Sequence, residues 1–238
     1  MMRQVPHYLF IGNGRVSRHF QHYFNLLAIS FDVWYRPQPL TVLEFKISQA
    51  SHILVLTSDA AIESFPLQYA HGIQAKWIHF SGALISSHLH GAHPLMSFAD
   101  QRYPLETYQK IPFIVDHDAP PFSQLLPGLS NPYFSLSKEL KPKYHALCVM
   151  SGNFSCILWQ KLFSTFKKEF QLPESAAHPY LLQQMQNLLQ DPMRALTGPL
   201  VRNDGVTIQE NLLALTHDPF QKIYESFVTC YNTLRGEK

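Results

Sequence analysis

Tyr8-Leu9-Phe10-Ile11-Gly12-Asn13-Gly14-Arg15-Val16 is the stretch that decides how this chain is read. Four apolar residues run into a glycine turn, and Val16, Phe20, Tyr23, Phe24 and Leu27 then recur at helical spacing. The pattern is strand, tight turn, helix. Gly12 would supply the turn and Gly14 would keep side chains away from the helix start. There, free N–H groups and the helix dipole favour a pyrophosphate. Asn13, Arg15 and Val16 complete the loop. The third small position of a dinucleotide fingerprint holds Ser17, so the fingerprint is incomplete. The competing reading is an ordinary strand-to-helix turn.

Outward from the turn, a second strand at 30–35 ends in Tyr35-Arg36, ahead of Pro37 and Pro39. Sites that select NAD place a carboxylate here for the ribose hydroxyls. An arginine fork fits a 2′-phosphate instead, and the neighbouring ring or guanidinium can stack on adenine. The expected cofactor is therefore NADP, the plain alternative being a solvated arginine at a strand end. Asp32, the rival acidic partner, sits in mid-strand.

Further apolar runs at 52–57 and 77–80 alternate with helix-compatible segments, as in a parallel sheet covered on both faces. Residues 93–98 read as a turn or strand entry, and strands are expected at 111–115 and 133–136. After Pro142 the pattern changes to long helical stretches at 144–169, 179–190, 207–215 and 219–235. The fold class expected is α/β, a Rossmann-type mostly parallel sheet followed by an all-α domain. The boundary is placed near 140, giving domains 1–140 and 141–238.

The 238 residues carry a formal charge of +2, with 46% hydrophobic and 15% charged residues. That describes a packed globular chain with no strong field for nucleic acid or membrane. No run approaches the roughly 20 apolar residues of a membrane helix. Cys148, Cys156 and Cys230 are scattered, without metal-ligand spacing or an even count for disulfides, so no metal site and a cytoplasmic location are expected.

Short motifs along the chain resemble one family, which pairs a Rossmann-like NADP-binding domain with a helical C-terminal domain of unknown function. It is related to pyrroline-5-carboxylate reductase, ketopantoate reductase and the 3-hydroxyisobutyrate dehydrogenases. The matching pieces are Gly12-Asn13-Gly14-Arg15-Val16, Trp34-Tyr35-Arg36, Thr57-Ser58-Asp59, His79-Phe80-Ser81-Gly82-Ala83 and His93-Pro94-Leu95-Met96-Ser97-Phe98. In the second half they are Tyr144-His145-Ala146, Ser151-Gly152-Asn153-Phe154 and Thr197-Gly198-Pro199-Leu200-Val201-Arg202-Asn203-Asp204. The resemblance implies NADP on the first domain, a substrate pocket between the domains and a homodimer through the helical one.

Thr57, Ser58, Asp59, Ser81 and Gly82 follow strands three and four, where strand ends face a ligand crevice. Ser81 could hold the carboxamide or a substrate oxygen, or cap the next helix. His93 could give a proton to a carbonyl or imine as hydride arrives, or bond to backbone as a turn histidine. His145 and Asn153 fall near one helix face and are candidates for proton donor and substrate contact. The related dehydrogenases carry a lysine one turn before an asparagine on the corresponding helix, and Val149 stands at that position. Those relatives also use a Gly- and Thr-bearing segment to hold a substrate carboxylate. Thr197, Arg202 and Asp204 are the equivalent candidates, with Arg202 as anion clamp and a surface pair plus helix cap as the alternative.

Two outcomes stay open. One is an NADP-dependent oxidoreductase reducing a small-molecule carbonyl or imine through His93, His145 and Ser81. The other is a non-catalytic NADP sensor or scaffold, to which the absent lysine and the imperfect fingerprint lend weight.

Overall fold

A computed structural model describes residues 6–236. Seven strands form one sheet: β1 (Tyr8–Ile11), β2 (Phe31–Trp34), β3 (His52–Val55), β4 (Lys76–His79), β5 (His90–Pro94), β6 (Phe113–Asp116) and β7 (Tyr133–Leu136), in the order β2-β1-β3-β4-β5-β6-β7. All neighbours run parallel except β5 and β6, which are antiparallel. This is a Rossmann-like fold, as the glycine turn and the strand–helix alternation predict.

β1 has strands on both sides because the chain leaves it first for β2 and then crosses back to β3. That reversal is the topological switch point at which open α/β sheets bind ligands. Every residue of β1 is fully buried, so it reads as an unbroken apolar run. Alternate side chains feed the two faces. Tyr8 and Phe10, with Leu54, join α1 (Arg15–Leu26) through Phe20, Tyr23 and Phe24. Leu9 and Ile11, with Ile53 and Val55, join α2 (Leu40–Gln49) through Leu43 and Ile47. Each such side chain contributes about 1.5–3 kcal/mol by leaving water.

Short helices complete the layers: α3 (Asp59–Ile62), α4 (Ser64–Tyr69), α5 (Leu105–Gln109) and α6 (Phe122–Leu125). The helical segment between β3 and β4 is two pieces, broken after Ile62. β5 starts at His90, earlier than the expected 93, because His90-Gly91-Ala92 lacks the large apolar residues that mark a strand in sequence.

The helical half begins with α7 (Lys141–Cys148), whose Pro142 sits in the first turn and so does not interrupt it. A π-helical segment at Val149–Phe154 leads into α8 (Ser155–Thr165), with a second at Phe166–Phe170. The helices α9 (His178–Gln190), α10 (Gly205–Ala214) and α11 (Phe220–Arg235) follow. Two compact units result, Met1–Ile157 and Leu158–Lys238. This division lies beyond the position near 140 expected from the helical pattern, because α7 is pinned to the sheet by side-chain contacts described below.

Within the second unit, Trp159 packs near Phe163 and Tyr180, and Lys161 pairs with Asp218. Asn211 Nδ2 donates to the Tyr224 hydroxyl at 3.0 Å, tying α10 to α11. Ala177 is the one buried hydrophobic among the described residues of this unit, while Leu189, Met193 and Leu234 stand open. No helix among the described residues is long and apolar enough to cross a membrane.

Candidate cofactor cleft and histidine cluster

The chain leaves β1 through Gly12, whose φ of +114° lies where side-chain-bearing residues are strained. A Cβ there would also stand 2.4 Å from the Leu56 carbonyl oxygen. The turn is locked further by the Gly12 N–H, which donates to the Trp34 carbonyl at 2.8 Å. Ser17 explains how the fingerprint tolerates its third residue. It is buried, and its hydroxyl donates to the Gly12 carbonyl at 2.6 Å, so the polar atom is satisfied while the helix stays close to the strand.

Gly14 occupies the N-cap of α1, no side chain caps it, and no acidic residue lies in the first turn. Nothing lies within 4 Å of a Cβ built on Gly14. The positive end of a 12-residue helix therefore opens on free space. That space is a cleft of about 720 Å³ lined by 12–16, Trp34, Tyr35, Arg36, 55–59, Phe80 and Ser81, among others. So Gly12, Asn13, Gly14, Arg15, Val16, Tyr35, Arg36, Thr57, Ser58, Asp59 and Ser81 meet around one cavity, while Gly82 lies just beyond its rim.

The charges in the cleft are unevenly committed. Arg15 donates through Nε to Asp100 at 3.1 Å. Arg36 is exposed and makes no ion pair or side-chain hydrogen bond with the described residues. Asp32 is drawn away from the cleft, its carboxylate lying 3.0 Å from His7 Nε2 and 3.4 Å from Lys46 Nζ. Thr57 Oγ1, in the cleft wall, is buried without a hydrogen-bond partner. A dinucleotide fits these features: an uncapped helix end for the diphosphate, an unengaged guanidinium for a further phosphate, and an orphaned hydroxyl.

Ser81 is held from three sides. Its hydroxyl donates to Asp59 Oδ2 at 2.7 Å and accepts from the N–H groups of Leu84 at 3.0 Å and Ala83 at 3.3 Å. The hydroxyl proton is therefore engaged with Asp59, and the capping alternative describes its backbone bonds. The Ser81 N–H donates to His79 Nδ1 at 3.2 Å, a contact that sequence reasoning missed. Burial, and next the nearby Lys141 cation, push the His79 imidazole down to about 3, so it stays neutral, with Nε2 buried and unpartnered.

Beside Gly82 the fold brings both candidate histidines together. A Cβ on Gly82 would stand 2.5 Å from His145 Cδ2 and 3.2 Å from His93 Nε2, so only glycine leaves these rings their places. The rings lie edge to face with centroids 6.0 Å apart. His93 Nδ1 is 2.8 Å from the Tyr144 hydroxyl. Burial, and then His145, lower the His93 imidazole to about 4. Burial, followed by a hydrogen bond to Cys148, holds the Tyr144 phenol above its usual range. Tyr144 was visible in sequence only as part of a motif, because its partner lies 51 residues away.

Lys141 anchors this helix face. Its ammonium, nearly inaccessible to solvent, donates to Asp116 Oδ1 at 2.7 Å, while Asp116 Oδ2 accepts from the Gly91 N–H at 2.6 Å. Tyr144 and His145 follow Lys141 by one turn, so the pair fixes where they point.

Asn153 is exposed in the π-helical segment, and Val149 opens that segment. Thr197, Arg202 and Asp204 belong to the second unit. Asp204 caps α10 by accepting from the Thr207 N–H at 3.1 Å and the Thr207 hydroxyl at 2.8 Å, while Thr197 and Arg202 are exposed. No cluster of His, Cys, Asp and Glu suited to a metal occurs among the described residues.

Residues 115–229 match a family described as a domain of unknown function, DUF2520. No curated protein matches the chain. Among solved structures, a Bacteroides fragilis protein provisionally described as an NADP oxidoreductase superposes with a TM-score of 0.77. It is 20% identical, over 96% of this chain and 98% of that one. A Thermotoga maritima protein gives 0.70 at 20% identity, over 95% and 98%. An imine reductase from Myxococcus stipitatus in complex with NADP+ gives 0.63 at 12% identity, over 96% and 93%. At these identities the likeness is one of fold.

Proposed function

We propose that this protein is an NADP-dependent oxidoreductase that reduces a small carbonyl or imine compound. The observation that carries the reading is the uncapped N-terminus of α1, opening on the cleft of about 720 Å³ that the unpaired Arg36 also lines. The first-turn N–H groups and Gly14 would hold the diphosphate, Arg36 the 2′-phosphate, and Tyr35 the adenine face. Thr57, Ser58, Asp59 and Ser81 would line the nicotinamide half. The reduced nicotinamide supplies hydride when bound. The chain's own part is to position the acceptor and to deliver a proton, for which His93 and His145 beside Gly82 are the candidates. The imine reductase with this fold, captured with NADP+, supports the choice of cofactor and of an imine as substrate.

Quenching of protein fluorescence on titration with NADPH and NADH tests the reading. NADPH should bind at least about tenfold more tightly, and Arg36→Ala should remove most of that preference, as expected for loss of a charge-assisted contact of about 1.5–3 kcal/mol. Absence of affinity for either nucleotide in the folded protein would overturn it. A sensor without turnover is the second reading, supported by Val149 at the position where the related dehydrogenases carry lysine. Tight NADPH binding with no oxidation across a panel of 2-oxo acids and cyclic imines would favour it.

A further inference from the structure

We propose that Tyr144 and His93 form a two-step proton relay whose outlet is His93 Nε2, at the face of Gly82. The proposal rests on the oxidoreductase reading and names the groups that supply its proton. Tyr144 has one hydroxyl proton and two acceptors within reach, His93 Nδ1 at 2.8 Å and the Cys148 sulfur one turn along α7. Thiol sulfur is a weak acceptor and imidazole nitrogen a strong one, so the proton goes to His93. A neutral imidazole that accepts at Nδ1 must carry its own proton on Nε2. That Nε2, with its neighbour Cδ2, is on the edge of the ring that faces Gly82, where a Cβ would come within 3.2 Å of each. His145, Lys141 and Asp59 are the charged or titratable groups around it, and Tyr144 is the one bonded to it.

A bound reduced nicotinamide would supply hydride, one C–H bond of its ring breaking and the ring being oxidised by two electrons; a C–H bond would form at the substrate carbon and the C=O or C=N π pair would move to the heteroatom. The His93 Nε2–H bond breaks and its proton goes to that heteroatom. The Tyr144 O–H bond breaks and its proton goes to Nδ1, leaving the other imidazole tautomer and a phenolate, which water reprotonates. His93 is then the catalytic residue and Tyr144 a positioning and supply residue acting through it.

Two readouts on the full-length protein test this. The first needs no cofactor: long-range proton–nitrogen correlation spectra of protein labelled with 15N-histidine, the His93 signals being those lost in His93→Gln. At pH 7.5 His93 should be in the Nε2–H form, and Tyr144→Phe should convert it to a mixture while leaving thermal unfolding and NADPH affinity near wild type. An Nδ1–H form in the wild type, or no change in Tyr144→Phe, overturns the relay and leaves the oxidoreductase reading standing. The second readout is NADPH oxidation by 2-methyl-1-pyrroline and by pyruvate. Tyr144→Phe should lower kcat about 10- to 100-fold with KM within twofold. A merely structural tyrosine would move KM and stability with kcat, and that result also overturns the relay. If wild-type protein that binds NADPH turns over neither compound, the oxidoreductase reading and the relay fall together.

Discussion

Gly12 carries two constraints at once, a left-handed φ of +114° and a carbonyl oxygen 2.4 Å from where a Cβ would be. Gly12→Ala should therefore cost more than the roughly 1 kcal/mol of an ordinary backbone change, about 2–4 kcal/mol in urea unfolding. A midpoint equal to wild type would show that the turn can relax. Gly14, one residue pair along, has open space around it, so its alanine variant should fold normally and lose NADPH affinity instead. At this scale the sequence was legible where chemistry is local. The glycine turn, Arg36 and the strand-end residues Thr57, Ser58, Asp59 and Ser81 line one cleft. Ser17 looked like a departure because its bond to the Gly12 carbonyl depends on how closely the helix lies against the strand. Tyr144 and His79 were hidden because their roles depend on partners supplied by other strands and helices.

α7 shows what one helix face can do. Lys141, Tyr144 and His145 share it, and Lys141 meets Asp116 at the end of β6. Removing one member of such a buried pair leaves an uncompensated charge. Lys141→Met alone should destabilise by about 3–5 kcal/mol, and the added change Asp116→Leu should recover much of it. A double-mutant cycle in urea checks this, and additive losses would mean the two groups act independently. The division of the chain was read from the hydrophobic pattern, which turns to long helical stretches after Pro142. The helix nonetheless goes with the sheet, because one lysine reaches a carboxylate 25 residues back, a contact with no local signature. The antiparallel β5–β6 pairing was likewise beyond periodicity, which reports that a strand exists and not which way its neighbour runs.

Over the whole molecule, five histidines couple folding to pH in one direction. His79 and His93 fall from an ordinary 6.5 to about 3 and about 4, and burial also lowers His19, His52 and His90. A base whose pKa is depressed by folding binds more protons when unfolded, so stability rises with pH between the two values. The contribution is complete above about pH 7 and is lost as pH falls from 6.5 towards 4. Between pH 7.5 and 5.0 it amounts to about 2 kcal/mol for each of His79 and His93. Urea midpoints at the two pH values should show the fall, and His79→Gln should reduce the slope. A flat profile would mean these rings are hydrated in the native state.

The enclosure of β1, between β2 and β3 and under a layer of helices on each side, sets a timescale as well as a shape. In heavy water its amide protons can be replaced only when the sheet comes apart, so their protection measures the full free energy of unfolding. Amides of α9, which contains no buried residue, should be replaced far sooner, and mass spectrometry of peptic fragments would read both clocks from one sample.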